Sequence, residues 1–235
     1  MFPVTRPSAV AGLASHDAAV AARSRAVVAE VYWRPLYKYV RLRWSRSAED
    51  AEDALQGFFA TALARDALAD YDPARGRFRT FLRRCVDRYV IDVHRRATAQ
   101  RRGGGGLTVD FAAVEREVAG APGDDPDDAF EREWLRHLIV VATARTDASL
   151  RGKGKPVHAT LFARFHGDDP PSYGAAAAEL AITVTDVTNW LSYARREFRR
   201  VAVELLRELT VDDAEFAAEA KAVFGIDVAA PASPK

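Results

Sequence analysis

Opposite charge in two neighbouring segments is the feature that most limits how this chain can fold. Residues 71–102, the basic segment, hold ten arginines and three aspartates, a net charge of +7. Residues 103–133, the acidic segment, hold nine acids and two arginines, a net charge of −7. The acidic segment opens with four glycines and contains GAPGDDPDD, a composition that disfavours regular structure. The sequence therefore predicts two folded parts joined by an acidic linker, with a long surface loop inside one domain as the alternative.

Hydrophobic spacing predicts an all-α fold. Apolar residues recur at helical intervals, and no stretch alternates in the manner of a half-buried strand. Apolar residues make up 49% of the chain, which is enough to bury a sizeable core. We expect two small helical domains joined by a flexible linker. The predicted boundaries are a first domain over 1–102, the acidic linker over 103–129, a second domain over 130–209 and an extension over 210–235 with one short amphipathic helix and a tail.

Several protein classes are disfavoured by what the sequence lacks. Cys85 is the one cysteine, so no internal disulfide can form, as is usual in a reducing cytoplasm. No apolar run is long enough for a membrane span, and the first residues lack the pattern of a secretory signal. We find no catalytic triad, phosphate-binding loop or cofactor fingerprint. We expect a cytoplasmic protein that is not an enzyme and needs no cofactor or metal.

An acidic helix is predicted to begin after Ser47. Ser47 can cap the helix, with Asp50 three residues on. Ala51, Leu55 and Phe58 then share one face, with Ala54 and Ala62, whereas the charged residues and Gln56 fall on the opposite face. Acids in a first turn stabilise any helix through its dipole. The alternative with functional content is a docking face for a basic partner. A metal site is disfavoured because no histidine stands at ligand spacing.

The basic segment predicts a turn followed by a helix that contacts nucleic acid. Asp72-Pro73 and Gly76 make the turn. From Phe78 onward an apolar stripe is predicted through Leu82, Cys85, Tyr89 and Val93, with Arg83, Arg84, Asp87, Arg88 and Arg95 pointing away from it. A solvated basic face is the alternative. The large positive excess and the neighbouring aromatic residues favour nucleic acid, because phosphates attract arginine and unstacked bases pack on aromatic rings.

The run from Ser172 to Arg200 has the layout of a helix-turn-helix. A short alanine-rich helix is predicted to end at Leu180, Ala181-Ile182 to form the turn, and Thr183 to cap the second helix. Val187, Leu191, Ala194 and Phe198 would face inward. Polar residues on the other side of that helix can bond to base edges and phosphates in a major groove. Ala181 fits such a turn less easily than glycine would.

Together these residues resemble the extracytoplasmic-function (ECF) group of bacterial RNA polymerase sigma factors. Tyr37–Arg96 resembles sigma region 2. Within it, Ala48–Phe59 matches the acidic polymerase-docking helix, and the run from Tyr71 to Leu82, continued by Ile91-Asp92 and Arg95-Arg96, matches the segment for the −10 promoter element and strand melting. Residues 158–207 resemble region 4, which reads the −35 element.

The resemblance implies three sets of site residues. The clamp helices of the polymerase largest subunit would be bound by Glu49, Asp50, Glu52, Asp53 and Gln56. The −10 element and the separated strands would be held by Arg77, Arg79, Phe81, Arg83, Arg84, Arg88, Arg95 and Arg96. The −35 bases would be read by Thr185, Thr188, Asn189, Ser192, Tyr193, Arg196 and Arg200.

Core RNA polymerase and promoter DNA are thus the expected partners, without a membrane, and an anti-sigma factor or other regulator is a further candidate. Two positions depart from the family. Phe81 stands where tryptophan is usual, and Arg88 where asparagine is usual, which leaves the preferred −10 base open. Two other functions stay open: a stand-alone helix-turn-helix regulator and a helical adaptor that binds only protein. The opposite charges of the basic and acidic segments also allow one to mask the other in the free protein.

Overall fold

A computed structural model of the chain describes residues 8–64, 68, 70–102, 125–167 and 169–227. These residues form helices and connecting turns, with no strand among them, which confirms the all-α prediction. A 3-10 turn, Pro73–Arg75, precedes the fourth helix. The α-helices are α1 Ala9–Gly12, α2 Ala18–Arg43, α3 Ala48–Ala64, α4 Phe78–Arg102, α5 Pro126–Gly152, α6 Pro156–Phe165, α7 Tyr173–Leu180, α8 Val184–Glu208 and α9 Asp213–Phe224.

The chain divides into two compact units. Unit 1 comprises Met1–His137 together with Glu208–Lys235, and unit 2 comprises Leu138–Arg207. Two helical parts were predicted, but their boundaries differ from the predicted ones. The first turns of α5 and the whole of α9 belong to unit 1, although the sequence assigned 130–137 to the second domain and 210–235 to an extension.

The predicted linker also ends earlier than expected. Residues 103–124 lie outside the described part of the chain, but α5 already begins at Pro126. The Asp125 side chain accepts a hydrogen bond from the Asp127 amide at 2.9 Å, and proline is well tolerated at the first helical position. Asp127 and Asp128 then lie in the first turn, where they suit the helix dipole. The Pro/Asp cluster that suggested a break is therefore the start of a helix.

The core of unit 1 forms where α2, α3 and α4 pack together. Tyr32 of α2 meets Phe78 of α4 edge to face, with ring centroids 5.7 Å apart. Phe58 of α3 meets Tyr89 of α4 in the same way at 5.9 Å. Gly57 permits this approach, because a Cβ at that position would lie 2.1 Å from the Tyr89 hydroxyl oxygen. These contacts fix the position of α3 relative to α4, the two helices to which the sequence assigns a function.

The buried stripe of α4 differs from the predicted one in its second half. Phe78, Leu82, Val86 and Val90 are buried, whereas Val93 is exposed. Asp87 was predicted to point away from the core. It instead accepts hydrogen bonds from the Tyr39 hydroxyl and the Trp44 indole, both at 2.9 Å, and burial raises its pKa. The sequence alone could not show this, because the donors, Tyr39 of α2 and Trp44 just after it, lie more than 40 residues away.

Unit 2 contains the predicted helix-turn-helix. The first helix, α7, ends at Leu180, and Ala181 follows in the left-handed conformation, with φ 53° and ψ 43°. The Thr183 hydroxyl accepts from the Asp186 amide at 3.0 Å, and the Asp186 carboxylate accepts from the Thr183 amide at 3.1 Å. This reciprocal pair is a capping box that starts α8. The predicted end of α7, the turn and the Thr183 cap are all confirmed.

The inward face of α8 packs as predicted. Val187, Leu191 and Ala194 are buried, and Phe198 lies partly buried against the cluster of Leu150, Ala159 and Phe162. A second cluster joins Val187 to Ala176 and Ala177 of α7 and to Leu161 of α6. The small side chains of Ala176 and Ala177 let α7 and α8 cross closely. Because α8 packs through this one side, its opposite side is available to contact DNA in the manner of a recognition helix.

Candidate functional site

The acidic face of α3 (Glu49, Asp50, Glu52, Asp53 and Gln56) is exposed at all five positions. The helix begins as predicted, with the Ser47 hydroxyl accepting from the Asp50 amide at 3.1 Å. Ala51, Leu55 and Phe58 are buried on the opposite side. Within the described part of the chain, no salt bridge involves these acids. Uncompensated carboxylates on one exposed helix face can attract a basic partner.

The arginines of α4 and its preceding turn fall into two groups. Arg77, Arg79 and Arg83 form ion pairs with acids of unit 1. The remaining predicted DNA-contacting arginines are exposed, and they are Arg84, Arg88, Arg95 and Arg96. Arg77 is also exposed, with 48% of its side chain accessible, so Arg79 and Arg83 are the enclosed members of the predicted set.

Arg79 is the most enclosed of these arginines. Its side chain is 5% exposed and forms ion pairs with Glu219 of α9 and with Glu131 of α5, the latter at 2.6 Å. Its guanidinium also lies 4.3 Å from the centroid of the Trp134 ring. Burial lowers the pKa of Arg79, but the two carboxylates outweigh burial and raise the pKa above its usual value. Arg79 is therefore a paired, charged residue in the interior of unit 1.

Arg77 and Arg83 pair with acids on either side of Arg79. Arg77 Nε lies 2.9 Å from Glu219, and Arg83 donates to Asp127 of α5 at 2.7 Å. The Arg83 guanidinium also lies over the rings of Tyr39 and Phe130, at 5.5 and 5.6 Å from their centroids. The positive charges of Arg77, Arg79 and Arg83 are thereby compensated by acids of unit 1.

An aromatic cluster lies beside these arginines. Tyr71, Phe78 and Phe81 have ring centroids 5.2 to 6.3 Å apart. The Tyr71 hydroxyl donates to Glu215 of α9 at 2.5 Å, and burial followed by this bond raises the pKa of Tyr71. Phe81 is half-buried. Aromatic rings therefore lie beside the arginines at the start of α4, as the sequence predicted.

The outward face of α8 carries the predicted base-reading residues. Thr185, Thr188, Asn189 and Arg196 are exposed, and Ser192 is half-buried. Tyr193 and Arg200, the other two members of the set, contact residues of unit 2. Tyr193 is partly buried against the cluster that includes Leu150 and Phe162. Its ring also lies 5.4 Å from that of His158.

Arg200 was also predicted to read DNA. It donates instead to Glu197 at 2.6 Å and pairs with Glu204 on the same helix. Glu197 additionally accepts from Ser149 and Lys153, each at 2.6 Å. This network connects α5 to α8 within unit 2. Arg200 lies on the same side of α8 as Asn189 and Arg196, but its guanidinium is engaged by Glu197 and Glu204.

Sequence reasoning missed the acids that meet α4. These are Glu215 and Glu219 of α9, and Asp127 and Glu131 of α5. Asp127 and Glu131 belong to the acidic segment, so the charge opposition of +7 and −7 pointed toward them. The sequence predicted a short helix in residues 210–235, but nothing in the local pattern indicated that this helix, α9, would pack on α4 about 140 residues earlier.

Neither a metal site nor a membrane-spanning helix is present among the described residues. No three histidine, cysteine or carboxylate side chains come together in a way that could hold a metal ion. No helix among those residues is long and apolar enough to cross a membrane.

Comparison with known proteins finds one family. Residues 30–100 match the family model for sigma-70 region 2, and this range contains the acidic face of α3 and nearly all of α4. No curated protein and no solved structure matches the chain. The match confirms the predicted region 2 and the kinship with sigma factors. Residues 30–100, about a third of the chain, are therefore similar to region 2 of the sigma-70 family, a match that supports an RNA polymerase sigma factor.

Proposed function

We propose that this chain is an ECF sigma factor that binds core RNA polymerase through the acidic face of α3 and directs it to promoters with a −10 and a −35 element. It performs no covalent reaction, because the polymerase makes the RNA. It acts in the cytoplasm with the polymerase. The region 2 match and the helix-turn-helix of unit 2 support the ECF assignment.

The acidic face of α3 is the observation that carries this proposal. Its carboxylates lie within the region 2 match, are exposed, and lack salt-bridge partners among the described residues. A stabilising role in the helix accounts only for Glu49 and Asp50 of the first turn. Glu52 and Asp53 lie beyond that turn, where the dipole contributes little. A basic protein surface, such as the clamp helices of the polymerase, would give all of them partners.

The exposed arginines of α4 are the proposed contact to the −10 region. Arg84, Arg88, Arg95 and Arg96 are exposed on this helix and are suited to phosphates, because a guanidinium can donate two parallel hydrogen bonds. Strand separation costs about 1.4 kcal/mol per base-pair step in stacking. Contacts to the separated strands by these arginines, and by the aromatic cluster once it is accessible, would offset part of that cost.

Unit 2 is the proposed reader of the −35 element. The outward side of α8 presents Thr185, Thr188, Asn189, Ser192 and Arg196 where a recognition helix contacts base edges. The predicted role of Tyr193 is retained only for its outer edge, since its ring packs in unit 2. Arg200 would contact phosphate only after leaving Glu197 and Glu204.

The docking proposal is tested by charge reversal on α3. The full chain with Glu49, Glu52 and Asp53 all changed to lysine should lose retention of purified core polymerase in a pull-down, because three attractive contacts become repulsive. The matched control reverses three exposed acids elsewhere, Asp92, Asp128 and Asp227. This control has the same net charge as the α3 variant and should retain polymerase like the unmodified chain. Equal retention by both variants would show that α3 is not the docking helix.

A further inference from the structure

Helix α9 contacts the start of α4, where Arg77 and Arg79 belong to the predicted promoter-binding set. It belongs to unit 1 and buries Phe216, Glu219 and Ala220. Sigma-70 region 2 was matched over residues 30–100 only, so α9 is an addition to that domain. Its burial requires a glutamate to enter the interior, which is costly unless the charge is paired.

Glu219 is paired with two of the predicted DNA-contacting arginines. One carboxylate oxygen lies 2.9 Å from Arg77 Nε, and the other accepts from Arg79. The side chains of Glu219 and Arg79 are 4% and 5% exposed. A carboxylate and a phosphate offer arginine the same kind of charged oxygen acceptors. Glu219 therefore occupies the position that a phosphate would take against these arginines.

Glu215 occupies a second group of donors at the start of α4. One of its carboxylate oxygens accepts from the Tyr71 hydroxyl at 2.5 Å and from the Phe78 amide at 3.3 Å. The other accepts from the Val211 amide at 2.8 Å. Phe78 is the first residue of α4, so its amide has no acceptor within the helix. Tyr71 belongs to the aromatic cluster, so its hydrogen bond to Glu215 joins that cluster to α9.

The contact between α9 and α4 is suited to exchange. Its polar contacts include the two ion pairs of Glu219 with Arg77 and Arg79 and two hydrogen bonds to Glu215. Buried ion pairs add little net stability, because desolvation offsets their attraction. The apolar part is small, since Phe216 is the one large buried side chain of α9, worth about 1.5–3 kcal/mol. A polyanion that supplies phosphates to Arg77 and Arg79 would replace what the helix provides.

We infer that α9 is an internal acidic cover, which occupies the arginines and aromatic cluster at the start of α4 in the free protein and is displaced when that surface binds nucleic acid. This inference rests on the proposed −10 contact of α4. It explains why Arg77 and Arg79 can be both paired in the free chain and part of the predicted promoter-binding set. Its consequence is weak DNA binding by the chain until the cover is released.

Charge removal at Glu219 tests the cover. The probe is a fluorescein-labelled single-stranded DNA of mixed sequence, titrated with full-length protein and followed by anisotropy at fixed salt. Glu219→Gln should bind this DNA about tenfold more tightly than the unmodified chain, the equivalent of about 1.4 kcal/mol. The matched control is Asp227→Asn, which removes one charge from an exposed residue just beyond α9. Equal affinity of both variants would overturn the inference.

Hydrogen exchange on the unmodified chain gives a second readout, which does not depend on the stability of Glu219→Gln. Residues 213–224 should exchange faster when saturating amounts of the same DNA are bound, because the displaced helix loses its packing. Unchanged or slower exchange of these residues in the DNA complex would contradict displacement.

The outcomes also separate this inference from the function on which it rests. Equal, measurable DNA binding by the unmodified chain and Glu219→Gln rejects the cover and leaves the −10 contact standing. Absence of binding by both rejects the role of α4 in DNA binding, and the cover with it.

Discussion

Arg79 donates hydrogen bonds to Glu131 and Glu219 from a position that is 5% exposed. An arginine in a basic helix can point to solvent or enter the interior with acidic partners, and its local sequence does not distinguish the two. The distinction depends on Glu219, which lies 140 residues away in sequence. For this reason the predicted set treats Arg79 and Arg84 alike, although only Arg84 is exposed.

Replacing Arg79 should destabilise unit 1 strongly. Arg79→Met leaves the buried carboxylate of Glu219 with only Arg77, and loss of one partner of a buried ion pair costs about 3–5 kcal/mol. Arg84→Met, an exposed change on the same helix, should alter the free energy of unfolding by no more than about 0.5 kcal/mol. Urea unfolding followed by circular dichroism measures both. Similar unfolding midpoints for the two variants would show that the Arg79 pairs do not stabilise the fold.

Glu197 should make unit 2 sensitive to acid. The hydrogen bond from Arg200 is the largest of the effects that lower its pKa from 4.5 to about 2, with further contributions from Lys153 and Ser149. A carboxyl group whose pKa is lowered by folding adds stability above its unfolded pKa, and this stability is lost as the pH falls toward the folded pKa. Thermal unfolding of unit 2 should therefore occur at progressively lower temperature between pH 4.5 and 2.

The matched variant for this prediction is Glu197→Gln. It keeps the shape of the side chain but has no carboxyl group to protonate, so its unfolding temperature should fall less steeply over the same range. Parallel curves for the variant and the unmodified chain would mean that other groups cause the acid sensitivity.

At the scale of helices, the sequence predicted best where local chemistry decides the structure. The caps at Ser47 and Thr183 and the turn at Ala181 were foreseen, because each depends on residues within four positions. The second half of the α4 stripe was wrong, since Val93 is exposed and Val90 is buried. Asp87, on the same helix, is held by Tyr39 and Trp44, which lie more than 40 residues away in sequence.

The outward side of α8 should set −35 preference independently of polymerase binding. Asn189→Ala and Arg196→Ala should each change the −35 sequences selected from a randomised promoter library by the complex with core polymerase. Arg195→Ala is the matched control, because Arg195 is also exposed but lies about 100° around the helix from Arg196. Pull-down of polymerase should be unchanged for all three. An unaltered −35 preference in both test variants would remove α8 from base reading.

At the scale of the whole chain, two units share the residues differently from the predicted domains. The first turns of α5 and all of α9 belong to unit 1, because acids from both meet arginines of α4. The sequence shows that the basic and acidic segments carry opposite charges. It does not show which acids form ion pairs with which arginines of α4. The family match covers unit 1 alone, so the role of unit 2 depends on its helix-turn-helix.

Run-off transcription with purified core polymerase tests the central claim most directly. The template is a library of genomic fragments, and the full chain is added to core polymerase that lacks any other sigma factor. We expect discrete transcripts that start at defined promoters, require the chain, and disappear when Glu49, Glu52 and Asp53 are changed to lysine. A folded chain that yields no promoter-specific transcript, or one that binds duplex DNA specifically with no effect on polymerase, would contradict the assignment as a transcription initiation factor.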